Sequence, residues 1–317
     1  MPLILANDLL EVEIAPDRGA DILQLTDLRT GTPVLTVSPT RLAGPRVLPG
    51  ADSMTQVLAG YPGGWQLLTP NAGPERTHDG VRQGFHGEAA IASWTLVSRS
   101  ADACELETTL ATAPLHLRRR IALHGAELVV VDDITNLSPD PVQARIVQHP
   151  AFGAPFLDDS SYLVTSAGAM VTDADAPGTL ASPDVVGLPG ALLPAGTVAG
   201  SIRLPGPGSG ASLFAALTDL DQARVTFCSP TRGFGITLSW DAEVLPHAWF
   251  WIEANAGSGW PWFRRLYAVA VEPANILPGE GAASDGRPRG GPGATIAPGA
   301  TVSTTTRLTR VALGDAD

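Results

Sequence analysis

Apolar and polar residues alternate with a period of two along much of this chain, and that period predicts strands rather than helices. The segment 10–14, LEVEI, alternates strictly; Asp17, Arg18 and Gly19 then turn the chain into 22–25, which predicts an opening hairpin. Further strands are predicted at 94–98, 104–110, 115–123, 127–134, 142–148, 162–165, 212–217, 224–228, 234–240, 247–253, 266–272 and 301–308. Within 115–123, Leu115, Leu117, Ile121 and Leu123 face one way and His116, Arg118 and Arg120 the other, so Arg118–Arg120 reads as a solvated sheet face. The segments 127–134 and 142–148 read as an antiparallel pair about the turn 136–141, with His149-Pro150 ending the second. No stretch longer than a turn or two carries 3.6-residue apolar spacing. Many short strands with frequent turns predict a large all-β antiparallel sandwich, and with no linker or repeat, residues 1–317 read as a single domain.

The stretch 247–273 holds four of the seven tryptophans. Alternation places His247, Trp249, Trp251 and Glu253 on one face of a strand, and Leu266, Ala268, Ala270 and Glu272 on one face of the next. Glu272 thus shares a roomy face with small alanines, and Pro273, lacking an N–H, is expected to end the ladder just past it. At least half of Trp249, Trp251, Trp260 and Trp262 read as core, but an exposed indole face also stacks well on the C–H face of a sugar ring. Between these strands lie long Gly- and Pro-rich connections at 30–64, 63–88 and 278–299, and 155–212 shows little periodicity. The segment 63–88 presents Asn71, Arg76, His86 and Glu88 from loop.

Composition narrows the chemistry. All 20 basic residues are arginine, which removes lysine Schiff-base chemistry. A net charge of -12 argues against binding a nucleic-acid backbone, and no apolar run reaches membrane-spanning length. The amino-terminal residues lack a secretory pattern, so a cytoplasmic location is expected. Cys104 and Cys228 have neither disulfide-scaffold nor zinc spacing and are expected to be buried thiols.

His86, His149 and Glu272 offer imidazole and carboxylate for proton transfer without a metal or a nucleophile. The plain alternative has His149 capping a turn and Glu272 paired with Arg264 or Arg265. Two other readings stand beside it: a cupin-like metal set of His86, Glu88, His149 and Glu272, and a glycosidase pair of Glu253 and Glu272.

Four short motifs, GGWQLLTPNAG at 63–73, GFHGEA at 84–89, QHPAFG at 148–153 and AVAVEP at 268–273, occur in an order that resembles the aldose 1-epimerase (galactose mutarotase-like) family. The resemblance implies a β-supersandwich with a sugar site and no cofactor. It implies Glu272 as the base that takes the anomeric hydroxyl proton, and His149 as the acid that protonates the ring oxygen. Rotation about C1–C2 and reclosure would then invert the anomer. His86 would hydrogen-bond the sugar, and Asn71 and Arg76 are carried over as further sugar ligands. Glu88 and Trp251 are expected, from their own positions, as site walls. Asn71 is followed by Ala72 where the family commonly has arginine, and none of Asp158, Asp159, Asp173 or Asp219 sits in a motif matching the family's substrate aspartate. The partner implied is a small sugar. A sugar-sensing protein without turnover, or a same-fold enzyme for a glycoside or phosphorylated sugar, remains open beside the epimerase.

Overall fold

The computed structural model describes residues 2–41, 48–198 and 200–313. Part of the 30–64 connection, residues 42–47, and the extreme ends of the 1–317 span lie outside them. One 18-stranded antiparallel sheet takes strands from Leu3–Ala6 at one end of the chain to Thr301–Ala312 at the other. Three two-stranded sheets and two short helices, Ser53–Ala59 and Pro189–Leu192, complete the described elements. None of these helices is long and apolar enough to cross a membrane.

Alternation places the core. Along Leu115–His124 the residues alternate buried and partly exposed, and Leu115, Leu117, Ile121 and Leu123 enter one large apolar cluster. Arg119 falls on that same apolar side. It is fully buried and bonded to Asp132, with Nε–Oδ1 2.7 Å, so the arginine triplet is only partly a solvated face.

The four strands that matter for function are Trp65–Leu68, Val147–Phe152, Tyr267–Ala274 and His247–Ala254. They lie side by side in that order. Trp65, Leu67, Phe152, Val269, Val271, Phe250 and Ile252 point into the main core. The opposite face carries two smaller clusters, one with Leu68, Val147 and Trp249, the other with Tyr61, Ala151, Ala268 and Ala270. His149 and Glu272 belong to this second face.

Several expectations change. Glu127–Asn136 pairs with Leu115–His124 and Thr301–Ala312, not with the segment at 142. The segment 142–148 is divided: Val142–Ala144 pairs with Ala294–Ile296, and the main-sheet strand starts at Val147. Neither proline ends its strand. Pro150 makes the last pair with Trp65–Leu68, opposite Trp65, but Ala151 and Phe152 go on to pair with Ala270 and Val269; Pro273 stands opposite Ala248 and Ala274 still pairs with His247. The predicted strands at 212–217 and 224–228 are one 19-residue strand, Ala211–Ser229. Its main partner is Tyr162–Thr172, which begins with the predicted strand 162–165 and runs on through residues of little periodicity, joining it across a bulge between Thr165 and Ala167. Cys104 and Cys228 are both buried.

Candidate active site

Strand register assembles the centre of the site. His149 pairs with Gln66 on one side. On the other, it stands opposite Glu272, between the pairs Val147–Ala274 and Ala151–Ala270. Glu272 in turn pairs with Trp249. Side chains in one such row share a face and lie within contact distance. His149 Nε2 accordingly lies 3.4 Å from Glu272 Oε1.

Both groups are nearly closed off from solvent: the His149 side chain is 10% exposed and that of Glu272 is 2%. Burial disfavours the charged form of each. It pushes the Glu272 carboxyl up to about 8 and the His149 imidazole down to about 4. Between those values the Glu272 carboxyl is protonated and the His149 imidazole neutral. Glu272 Oε2 and His149 Nδ1 have no hydrogen-bond partner, although both are buried. Arg264 and Arg265, the plain alternative partners of Glu272, lie exposed on a loop.

His86 and Trp251 join this pair. The His86 ring is 6.0 Å from that of His149, edge on, and Trp251 is 5.8 Å from it. His86 sits at φ +61 in a tight turn, and its Nδ1 accepts the Gly73 N–H at 3.2 Å, which leaves Nε2–H as the free donor. Burial first, and the neighbouring His149 second, hold its pKa well below the ordinary value. Gly87, at φ +76, lets this turn press on the strand end: a Cβ there would lie 2.4 Å from the Thr69 carbonyl oxygen.

Three expected site residues are employed elsewhere. The Glu88 carboxylate accepts the Ala111 and Thr112 backbone N–H groups and the Thr112 hydroxyl, stapling a loop and leaving the proposed metal set. Arg76 is spread over Gln83, the Pro70 carbonyl and the Gly291 carbonyl. The Asn71 amide donates to the Pro74 and Gly84 carbonyls, although its Oδ1 is buried without a partner. Asn71 and Arg76 therefore brace the loop that carries His86. Glu253 is a turn cap, accepting the Ala256 and Gly257 N–H groups. Its backbone lies four residues along the ladder from Glu272's partner Trp249, about 13 Å of strand, and its carboxylate is committed to the turn. Three of the four mid-chain aspartates are engaged too: Asp158 with Ser160, Asp173 with the Asp175 and Ala176 N–H groups, and Asp219 with Arg287.

Sequence reasoning missed Tyr61, which covers the alanine floor. Its ring is 6.1 Å from His149 and 5.7 Å from Trp262, so the face beside Glu272 is filled rather than open. The available signal was composition: this is one of only three tyrosines, set in a Gly- and Pro-rich loop. Of the tryptophans, Trp249 is core, bonded to the Ile276 carbonyl, while Trp251 and Trp262 pack against each other as walls and Trp260 is 45% exposed.

A model of a domain of unknown function, DUF4432, matches residues 3–191. No curated protein matches the chain in sequence. Similar solved structures include the Slr1438 protein from Synechocystis sp. PCC 6803, 19% identical, covering 98% of this chain and 96% of that one with a TM-score of 0.71. Another is a provisionally named aldose 1-epimerase from Escherichia coli K12, 17% identical, covering 99% of both chains with a TM-score of 0.68. A third is a galactose mutarotase-like protein from Lactobacillus casei ATCC 334, 16% identical, covering 98% of this chain and 100% of that one, TM-score 0.68. At these identities the likeness shows the fold, which is galactose mutarotase-like.

Proposed function

The chain belongs to the DUF4432 family, and because that family's description states no activity, we propose a function from the site itself: interconversion of the α and β anomers of a free aldose. The observation that carries the reading is the 3.4 Å contact between His149 Nε2 and Glu272 Oε1, each with a second polar atom buried and unpartnered. The printed names of the similar structures support it at the level of fold.

Ring opening needs one proton removed from the anomeric hydroxyl and one delivered to the ring oxygen. Those two oxygens share carbon C1, so the acid and the base can stand side by side rather than on opposite sides of the sugar. A 3.4 Å pair suits that demand, and no pyranose fits between its members. In the free site the proton rests on Glu272. Sugar hydroxyls donating to the carboxylate favour its ionised form, and the proton then passes to His149. The roles become Glu272 as base at the anomeric hydroxyl and His149 as acid at the ring oxygen; reclosure reverses them. His86 Nε2–H is placed to donate to a sugar oxygen, and Trp251 to stack on its ring. No cofactor enters this reading, and residues 1–317 act as one domain around one small-sugar site.

Polarimetry on freshly dissolved α-D-glucose and α-D-galactose tests it. Glu272→Gln is expected to lower the rate by roughly 10²-fold or more, the scale of a lost acid or base, and His149→Asn comparably. A Glu272→Gln protein at full rate ends the reading. The near-complete burial of the pair favours one alternative, sugar binding without turnover. Calorimetric binding with no anomeric acceleration would select it.

A further inference from the structure

The Tyr61 hydroxyl is a polar group near this site that the fold leaves without a hydrogen-bond partner. The residue follows the helix Ser53–Ala59, and its backbone is clamped: its N–H donates to the Leu58 carbonyl, and its own carbonyl accepts the Thr40 hydroxyl at 2.6 Å. The ring has little freedom. It rests on Ala151, Ala268 and Ala270 and meets His149 and Trp262 edge on, at 6.1 and 5.7 Å between centroids. Yet its oxygen, in a residue only 6% exposed, has no hydrogen-bond partner.

Buried hydroxyls are normally bonded, and one that is not weakens the fold relative to the bare ring. Phenylalanine would make the same ring contacts without that cost, so the packing gains nothing from the oxygen. Burial first, and the facing Glu272 and Asp21 carboxyls second, keep the phenol protonated. It is therefore available as a neutral donor. Around the same site Glu272 Oε2, His149 Nδ1 and Gln66 Oε1 are also buried and unpartnered. Four such groups suit a ligand carrying several oxygens on one ring.

We propose that Tyr61 is a further ligand-contacting residue of this site, its hydroxyl donating a hydrogen bond to an oxygen of the bound hydroxylated ring. The inference rests on the anomeric reading for its substrate class. It adds a fourth hydrogen-bonding side chain to His149, Glu272 and His86. Removing the oxygen separates function from folding, because the two respond in opposite directions.

The test is Tyr61→Phe, assayed by polarimetry with α-D-galactose and α-D-glucose, by calorimetry with the same sugars, and by thermal unfolding. Expected is a loss of roughly tenfold in kcat/KM, or in affinity if the protein binds without turnover, with an unfolding midpoint equal to or above that of the parent. Rate and affinity within twofold of the parent overturn the proposal, whatever the midpoint does. Glu272→Gln measured alongside keeps the two ideas apart. If Glu272→Gln is inactive and Tyr61→Phe is not, only the tyrosine assignment fails. If Glu272→Gln is fully active, the anomeric reading fails, and the Tyr61→Phe calorimetry still decides whether the hydroxyl touches sugar.

Discussion

Glu272 is a carboxyl that the fold prefers uncharged, and this ties stability to pH in a definite direction. Its pKa rises from an ordinary 4.5 to about 8 on folding. Its contribution is thus complete below about pH 4.5 and is lost as pH rises toward 8. His149, lowered from 6.5 to about 4, acts in the opposite sense: its contribution is present above 6.5 and lost as pH falls toward 4. The two oppose each other between 4.5 and 6.5. Asp21, buried and raised to about 7, adds to the Glu272 trend below that value. From pH 7 to 8 Glu272 stands nearly alone, and stability should fall by about 1 kcal/mol. Urea denaturation of parent and Glu272→Gln at both pH values checks this: the parent should weaken across the interval and the variant should not.

At the level of elements, the strands bring His149 and Glu272 together and a loop brings His86 to them. Gly87 holds that loop. With φ +76 and the Thr69 carbonyl oxygen 2.4 Å from any Cβ, Gly87→Ala must shift backbone. It is expected to cost on the order of 2–3 kcal/mol and to lower activity by displacing His86, as denaturation and rate measurements together would show. Most strands were readable from alternation, and with them the shared face of Ala268, Ala270 and Glu272. What alternation could not reveal was partner choice. The strand Glu127–Asn136 takes distant Thr301–Ala312 rather than the nearby segment at 142, because pairing is settled by core packing and not by chain proximity. Pro150 and Pro273 misled for a related reason: a missing N–H ends a ladder only where that N–H is needed. The short motifs pointed to His86, His149 and Glu272, which the structure gathers. Asn71 from the first motif, Arg76 just beyond it and Glu88, expected from its own position, each brace a loop, because a polar side chain beside buried backbone groups satisfies them first. Tyr61 had no periodic neighbours to betray it.

Across the whole molecule, a buried polar network anchors the site from behind. Arg119 bonds both oxygens of Asp132, at 2.7 and 3.0 Å, and the Ala20 carbonyl. Gln148 donates to Asp132 at 2.7 Å and accepts from the Trp65 indole at 2.9 Å. Gln148 precedes His149 and points to the opposite face, so the strand bearing the imidazole is held through its neighbour. Arg119→Ala would leave Asp132 charged and buried, at a cost of roughly 3–5 kcal/mol. The unfolding midpoint should drop far more than the rate measured at a temperature where the variant is still folded.

His149 and Glu272 sit on paired strands of a wide sheet, whereas Tyr61, His86 and Trp262 reach them from separate connections. On the proposed reading, substitutions confined to those connections would alter which ligand is taken while the paired strands beneath stay unchanged.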